Sequence, residues 1–176
     1  IGASAMDGTG TNTQTGTVAI GYFALSDLSS GANCTGVGYR ALRSTTTGAG
    51  NTAVGWDAGY YNETGDNNTY LGFYAGYGND ANHTGNTGLG ARALQNVTTG
   101  GSNVAVGSLA GDSITTGDQN TAIGYDSLSA LTTGRLNVAI GSIVMNSMTV
   151  GQRNVALGND ALDAAVEDSG NVAIGY

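Results

Sequence analysis

The residues of this chain that could do acid–base or metal chemistry are few and isolated. His83 is the only histidine and Cys34 the only cysteine, which excludes a histidine metal cluster, a cysteine zinc site and an intrachain disulfide framework. A Ser–His–Asp arrangement would rest on His83 alone. The chain therefore offers little to a hydrolase or metalloenzyme interpretation.

The acidic and glycine-rich segments also lack the spacing of known sites. Asp57, Asp126 and Asp160 are far apart in the chain, and neither an EF-hand loop nor a Gly-Gly-x-Gly-x-Asp nonapeptide occurs. Acids suited to glycoside hydrolysis would have to be paired, and here they occur singly. No phosphate-binding Gly-x-x-x-x-Gly-Lys motif exists, since the chain has no lysine. We predict no catalytic residue and no cofactor, with calcium bound by loop acids as the open alternative.

The glycines themselves mark a repeat that runs from end to end. A glycine preceded by an aliphatic residue, here called the anchor, recurs mostly every 17 residues: Gly2, Gly21, Gly38, Gly55, Gly72, Gly90, Gly107, Gly124, Gly141, Gly158 and Gly175. A fixed period of this length indicates one small unit stacked about ten times. The sequence predicts a single repetitive domain over residues 1–176, cut from a longer fibre protein.

Residues before each anchor predict a short strand. Numbered from the anchor, position −1 is aliphatic and position −3 is Val or Thr, so these two share one side of a strand and −2 and −4 the other. Position −4 is asparagine in eight successive units: Asn51, Asn68, Asn86, Asn103, Asn120, Asn137, Asn154 and Asn171. Parallel, in-register stacking would align these amides into a ladder.

Residues after each anchor complete the coil. Position +3 is mostly Ala and position +4 mostly Leu or Gly, in a segment too short for a stable helix. We expect a second short strand there, with a row of Ile and Val packed against Ala and Leu inside. The predicted fold is all-β, a parallel β-roll or β-solenoid of about ten 17-residue rungs.

Aromatic residues are concentrated in one part of the chain. The aromatic strip is defined by Trp56, Tyr60, Tyr61, Phe73, Tyr74, Tyr77 and His83. It has two interpretations. The rings form a stacked ladder that stabilises the solenoid or an interface, or they form a surface that binds a glycan or another ligand. His83 belongs to the only internal unit lengthened to 18 residues, between Gly72 and Gly90. We therefore expect it on a solvent-exposed loop.

The charge and hydropathy of the chain limit the classes of partner that it could bind. The net charge is −8, and the few basic residues form no stripe, which argues against nucleic acid as a partner. No apolar run is long enough to cross a bilayer, so we expect no membrane insertion in this segment.

The units resemble the head repeats of YadA-like trimeric autotransporter adhesins, whose motif runs approximately Asn-Ser-x-Ala-Ile-Gly. The matching segments include 120–124, 137–141, 154–158 and 171–175, and similar arrays are found in tail fibres of phages and other viruses. The resemblance implies a left-handed coil, a homotrimer and an extracellular location on a bacterial surface or a virion. The adhesin repeats are shorter, and their neck and stalk motifs are absent from these 176 residues.

The leading functional hypothesis is a non-enzymatic segment of a trimeric fibre that forms or presents a host-attachment surface. Its partners would be two further copies of itself and a host-surface glycan or protein receptor. Two alternatives remain. An ice-binding solenoid would use the threonine pairs that repeat at the 17-residue period, and a glycan-degrading tailspike would need a carboxylate-lined groove.

Overall fold

Ten short strands form one parallel sheet. A computed structural model describes residues 2–8, 15–78 and 82–176 of the chain. Within them the strands are β1 (Val18–Ile20), β2 (Thr35–Val37), β3 (Thr52–Val54), β4 (Thr69–Leu71), β5 (Thr87–Leu89), β6 (Val104–Val106), β7 (Thr121–Ile123), β8 (Val138–Ile140), β9 (Val155–Leu157) and β10 (Val172–Ile174). They pair in chain order, and the described residues contain no helix. The predicted all-β solenoid is confirmed.

The register follows the sequence period. Thr35 pairs with Thr52 and Thr121 with Val138, a step of 17 residues, whereas Thr69 of β4 pairs with Thr87 of β5. The extra residue of the 18-residue unit is therefore accommodated outside the strands, and the sheet continues through it without a register change.

The interior differs from the expected one. The middle residue of each strand, position −2, points inward, as Ala53 and Ala122 do, while positions −1 and −3 point outward. The expectation that an Ile and Val row fills the interior is therefore wrong. The coil is so narrow that Ala or Gly at −2 leaves just enough room for the Leu or Met side chain at +4, and both are fully buried in the core.

The segment after the anchor is a series of turns, so the predicted second strand is wrong. Positions +2 and +4 are left-handed, with φ of 53° at Arg40 and 51° at Leu42. An extended strand cannot contain such residues, yet the turns are still bonded between rungs, for example from Leu42 N to Ala58 O at 3.0 Å. Aspartate tolerates this conformation better than most residues, which explains why Asp57, Asp126 and Asp160 all occupy +2.

The anchor glycine has a backbone cause. At Gly107 φ is 135°, and a Cβ there would lie 2.4 Å from the carbonyl oxygen of Gly124 in the next rung. Only glycine permits both the dihedral angle and the close approach of successive rungs. The most regular signal in the sequence thus marks where neighbouring turns touch through their backbones.

Among the residues that the structure describes, none belongs to a helix with the length and apolar character needed to cross a membrane.

Candidate functional site

The asparagine ladder runs through the interior beside the sheet. The Asn120 amide nitrogen donates to Asn103 Oδ1 at 3.1 Å and to Gly134 O at 2.8 Å. Its Oδ1 accepts from both the backbone and side-chain nitrogens of Asn137, at 3.1 and 3.0 Å. From Asn51 to Asn171, the backbone nitrogen of each later asparagine donates to Oδ1 of the one before it, so the predicted ladder is present in the structure. It satisfies buried polar groups that stacking would otherwise leave unpaired.

Cys34 takes the ladder position in the rung before Asn51. Its thiol donates to Gly48 O at 3.3 Å, the carbonyl that corresponds to Gly134 for Asn120. Burial raises the pKa of the thiol, so it stays protonated and can act as a donor. Its role is that of a ladder member, and the sequence position at −4 could have shown it.

The outward residues of the sheet form what we call the outer face, defined by positions −1 and −3 of β1 to β10. Every one of these residues is Ile, Val, Leu or Thr, so the outer face carries no charge on a chain of net charge −8. Several are strongly exposed, including Ile20 at 47%, Leu71 at 50% and Ile140 at 38%. Position −1 is aliphatic in every strand, whereas position −3 is Thr in five of the ten, so an unbroken aliphatic column runs along a partly exposed face. Large exposed apolar patches are uncommon on monomeric proteins.

Two residues of the predicted aromatic strip border the outer face. Trp56 and Phe73 occupy position +1 and are 50% and 47% exposed. Stacking joins Trp56 to Tyr39 at 4.3 Å between ring centroids, and Tyr39 to Tyr22 at 5.6 Å. The aromatic ladder is therefore present from Tyr22 to Trp56 at the edge of the sheet, whereas the Phe73 ring contacts Tyr74 at 4.5 Å between centroids.

Two arginines connect these rings to a second aromatic group. The Arg40 guanidinium binds the buried Asp57 carboxylate through two nitrogens, at 2.7 and 2.5 Å, and lies over the rings of Tyr39 and Tyr60 at 4.9 and 4.8 Å. The hydrogen bond with Asp57 raises the pKa of Arg40. Arg43 donates to the hydroxyl of Tyr60 at 2.5 Å. We did not anticipate these arginines, although Arg40 and Asp57 occupy the same +2 column one period apart.

The remaining tyrosines of the strip pack against one another. Tyr60 is buried, and the rings of Tyr61 and Tyr77 are half-buried. Their ring centroids lie 4.5 and 5.4 Å from the ring centroid of Tyr60. Tyr74 contacts Tyr77 at 4.7 Å. Burial and a hydrogen bond with Tyr61 raise the pKa of Tyr77 to about 12, so the Tyr77 hydroxyl is uncharged at neutral pH. The strip is thus divided into an exposed pair beside the outer face and a largely internal cluster.

The Arg40–Asp57 pair gives a modest stability prediction. Replacing Asp57 with Asn keeps the left-handed conformation and the side-chain shape but removes the ion pair. Since the Arg40 side chain is 27% exposed and can be hydrated, we expect a loss of about 1 kcal/mol in the free energy of unfolding, measured by urea denaturation. Asp57→Asn combined with Arg40→Gln is the control, and a loss far above the expected value would contradict this account.

His83 does not belong to the strip. The structure buries it completely, so the expectation of an exposed loop is wrong. It takes the place that glycine holds in most units before the strand, and its Nδ1 lies 3.0 Å from the hydroxyl of Tyr70. Tyr70 is itself fully buried because it occupies the inward −2 position, where other rungs have Ala or Gly. A sequence-only assignment missed this, since nothing in a longer unit shows which residue turns inward.

The carboxylates give no assembled ion site in the described part of the chain. No group of three or more His, Cys, Asp or Glu side chains that could hold a metal is found there. Burial and the facing charge of Asp126 raise the pKa of Asp112 to about 6. Asp160, Asp163 and Asp168 line an open depression in the last turn. Calcium binding stays a prediction without a defined site.

The threonine pairs are partly used inside the fold. The first hydroxyl of each pair donates to a carbonyl of the next rung, from Thr98 to Thr115 at 3.1 Å and from Thr115 to Thr132 at 3.2 Å. The second members, such as Thr116 and Thr133, are exposed. The pairs therefore act first as a hydroxyl ladder at the turn.

Comparison of the chain with protein-family models, with curated proteins and with solved structures gives no match.

Proposed function

We propose that this chain is a non-enzymatic segment of a trimeric fibre, in which the outer face packs against copies of the same chain. The observation that carries the proposal is the outer face itself, a ten-strand surface of aliphatic residues and threonines without a single charge. Burial of this surface would remove exposed aliphatic side chains from water, which stabilises the assembly by about 25 cal/mol per Å² of apolar surface buried.

The repeat makes a second copy the best-matched occupant. All strands are parallel and in register, so a column of aliphatic residues at −1 and a column of Val or Thr at −3 run the length of the face. A copy aligned in parallel presents the same columns at the same spacing of about 4.8 Å. A partner without this period would match only locally.

The outer face is a narrow strip along the solenoid. Ten rungs at about 4.8 Å and strands of three residues give a projected area on the order of 500 Å². A stable interface buries roughly 800 Å² per partner, so residues that border the outer face would have to take part in the contact. The number of three copies, and an extracellular role in host attachment, rest on the resemblance to adhesin and tail-fibre repeats.

The host-attachment part of the proposal draws on the exposed aromatic rings. Trp56 and Phe73 lie beside the outer face, and exposed aromatic rings are common in binding surfaces for glycans and proteins. Removal of both rings in Trp56→Ala, Phe73→Ala would then reduce attachment of the fibre to host cells without changing its oligomeric mass.

A charge on the outer face tests the assembly. We expect the unmodified chain to sediment at three times its 17.5 kDa mass, and Ile140→Asp to sediment as a folded monomer. A carboxylate buried without a partner at the interface costs about 3–5 kcal/mol per copy, whereas Asp at this exposed position of a monomer costs little. Analytical ultracentrifugation gives the mass, and circular dichroism verifies the fold.

The matched control is Thr133→Asp, which adds the same charge to an exposed residue of the turn before β8, outside the outer face. It should leave the trimer intact. A folded, monomeric wild-type chain would overturn the proposal. If that monomer also showed thermal hysteresis, the flat face would point to ice binding instead.

A further inference from the structure

We propose that the turn holding His83 is an acid-sensitive weak point of the solenoid, which opens on protonation of the imidazole while the turns far from it stay closed. The inference concerns the fold of one chain and is independent of the assembly proposed above.

The backbone of His83 takes part in the asparagine ladder. Its carbonyl oxygen accepts from the Asn68 amide at 2.7 Å, as glycine carbonyls do in most other rungs. Its imidazole, however, extends into the core, where it meets the Tyr70 ring edge to face at 5.6 Å. Movement of the imidazole out of the core would therefore pull on a ladder bond.

The core is adapted to this pair by glycines. A Cβ at Gly76 would lie 2.3 Å from the Tyr70 ring, and one at Gly59 would lie 3.3 Å from it. These are +4 positions, where most other rungs carry Leu or Met. Tyr70 thus fills the volume of two missing side chains, and the hydroxyl of Tyr70 and the imidazole of His83 form a polar pair beside the apolar cluster of the core.

Within the described residues, which leave out Asp80, no group compensates the charged form of His83. Tyr70 is the only titratable group in contact with the imidazole within the described residues, and burial raises the pKa of its hydroxyl, so it carries no negative charge. The nearby residues Asn62, Asn68 and Asn86 are uncharged. The carboxylate of Asp66, in the adjacent turn, instead accepts from Ala49 N at 2.8 Å.

One imidazole nitrogen is already without a partner. His83 Nε2 is buried and accepts or donates no hydrogen bond, and the same is true of Asn62 Oδ1. Protonation would add a charge to the buried ring without supplying an acceptor for it. In agreement with this, burial lowers the pKa of His83 to about 4.

The ladder is also thinner at this step. Asn86 N donates to Asn68 Oδ1 at 2.9 Å, but the amide-to-amide bond that joins the other successive ladder asparagines of the described chain is missing between these two. Fewer bonds hold the rungs together where the insert lies, so opening can remain local.

The direction of the pH effect follows from linkage. In an opened turn the imidazole titrates near its ordinary value of 6.5, whereas in the closed turn it titrates near 4. Well above pH 6.5 both forms are neutral and the opening equilibrium is constant. As the pH falls from 6.5 to 4 mainly the open form takes up the proton, which favours opening by about 160-fold at pH 4, and the limit of about 300-fold is approached only below pH 4.

Hydrogen exchange of the full chain at pH 7 and pH 4, corrected for intrinsic exchange rates, tests this. We expect the opening equilibrium of residues 62–78 and 82–90 to rise about 100-fold at pH 4, with little change in segment 121–157. The variant His83→Asn retains an acceptor near Nδ1 but cannot titrate, and it should lose the local pH effect. Equal changes in both segments, or the same effect in His83→Asn, would overturn the proposal.

A direct titration serves if His83→Asn fails to fold. Because His83 is the only histidine, its imidazole resonances in the intact protein are unambiguous in NMR spectra. A titration midpoint near 4 for the closed form supports the proposal. A midpoint at the ordinary value, in a chain that remains folded, refutes it.

Discussion

Replacing Gly124 with alanine is expected to lower the free energy of unfolding by at least about 5 kcal/mol, enough to unfold most of a marginally stable chain. The φ of Gly124 is 130°, where an L-residue is strained, and its new Cβ would lie 2.0 Å from the carbonyl oxygen of Gly141. Backbone atoms cannot yield to such a contact without separating two rungs. Urea denaturation at a fixed protein concentration measures the loss.

Gly175→Ala is the matched control for the close approach. Gly175 has nearly the same φ, 132°, but nothing lies within 4 Å of its added Cβ. Only the strain remains, and we expect a loss of about 1–3 kcal/mol. If the two variants were equally destabilised, contact between rungs would not be the reason for the glycine period.

Replacing Asn120 with alanine is expected to cost about 4 kcal/mol or more. The substitution removes two donor and two acceptor bonds at the centre of the ladder and leaves the buried amide of Asn137 and the carbonyl of Gly134 short of partners. Each buried group left unsatisfied costs about 1–3 kcal/mol. The loss is measured as for Gly124→Ala, with circular dichroism to follow the strand signal.

Asn171→Ala separates the ladder from the general effect of a shorter side chain. Asn171 is half-buried, and it donates to Asn154 Oδ1 but has no later asparagine to support. We expect it to cost about 1 kcal/mol. A ladder that acts cooperatively requires the central variant to be much worse, and similar losses at both positions would argue against that.

The repeat was readable because each of its signals has a local cause. The anchor glycine is required by one dihedral angle and one contact, as at Gly107, and Asn at −4 is required by a corner that recurs in every rung. Such requirements act at the same place in each unit and therefore imprint a period on the chain. Strand position, parallel register and the ladder could all be predicted from that period.

What faced inward could not be predicted from alternation alone. The alternation of side chains in β2 is equally compatible with Val37 facing inward or Gly36 facing inward. The usual preference for burying aliphatic residues favours Val37, which is the wrong choice. The decision depends on how much space the opposite side of the coil leaves, and there Leu25 and Leu42 reach across to the strand. The apolar outer face became visible only after that choice was settled by packing.

The turns illustrate the same limit. Leu42 prefers a right-handed or extended backbone, and nothing in its own chemistry indicates φ of 51°. The structure accepts about 1–2 kcal/mol of local strain because that conformation places the leucine in the core and its N–H against the next rung. Propensity therefore suggested a strand where tertiary bonds produce a turn.

The sequence by itself determined the fold class, the number and register of the strands and the asparagine ladder. These depend on interactions between equivalent positions, which a period of 17 residues places one above another. Only the tertiary structure decided that His83 is buried beside Tyr70, that Arg40 holds Asp57, and that Ile and Val lie outside. Those features depend on contacts between different positions around the coil, whose distances the period does not contain.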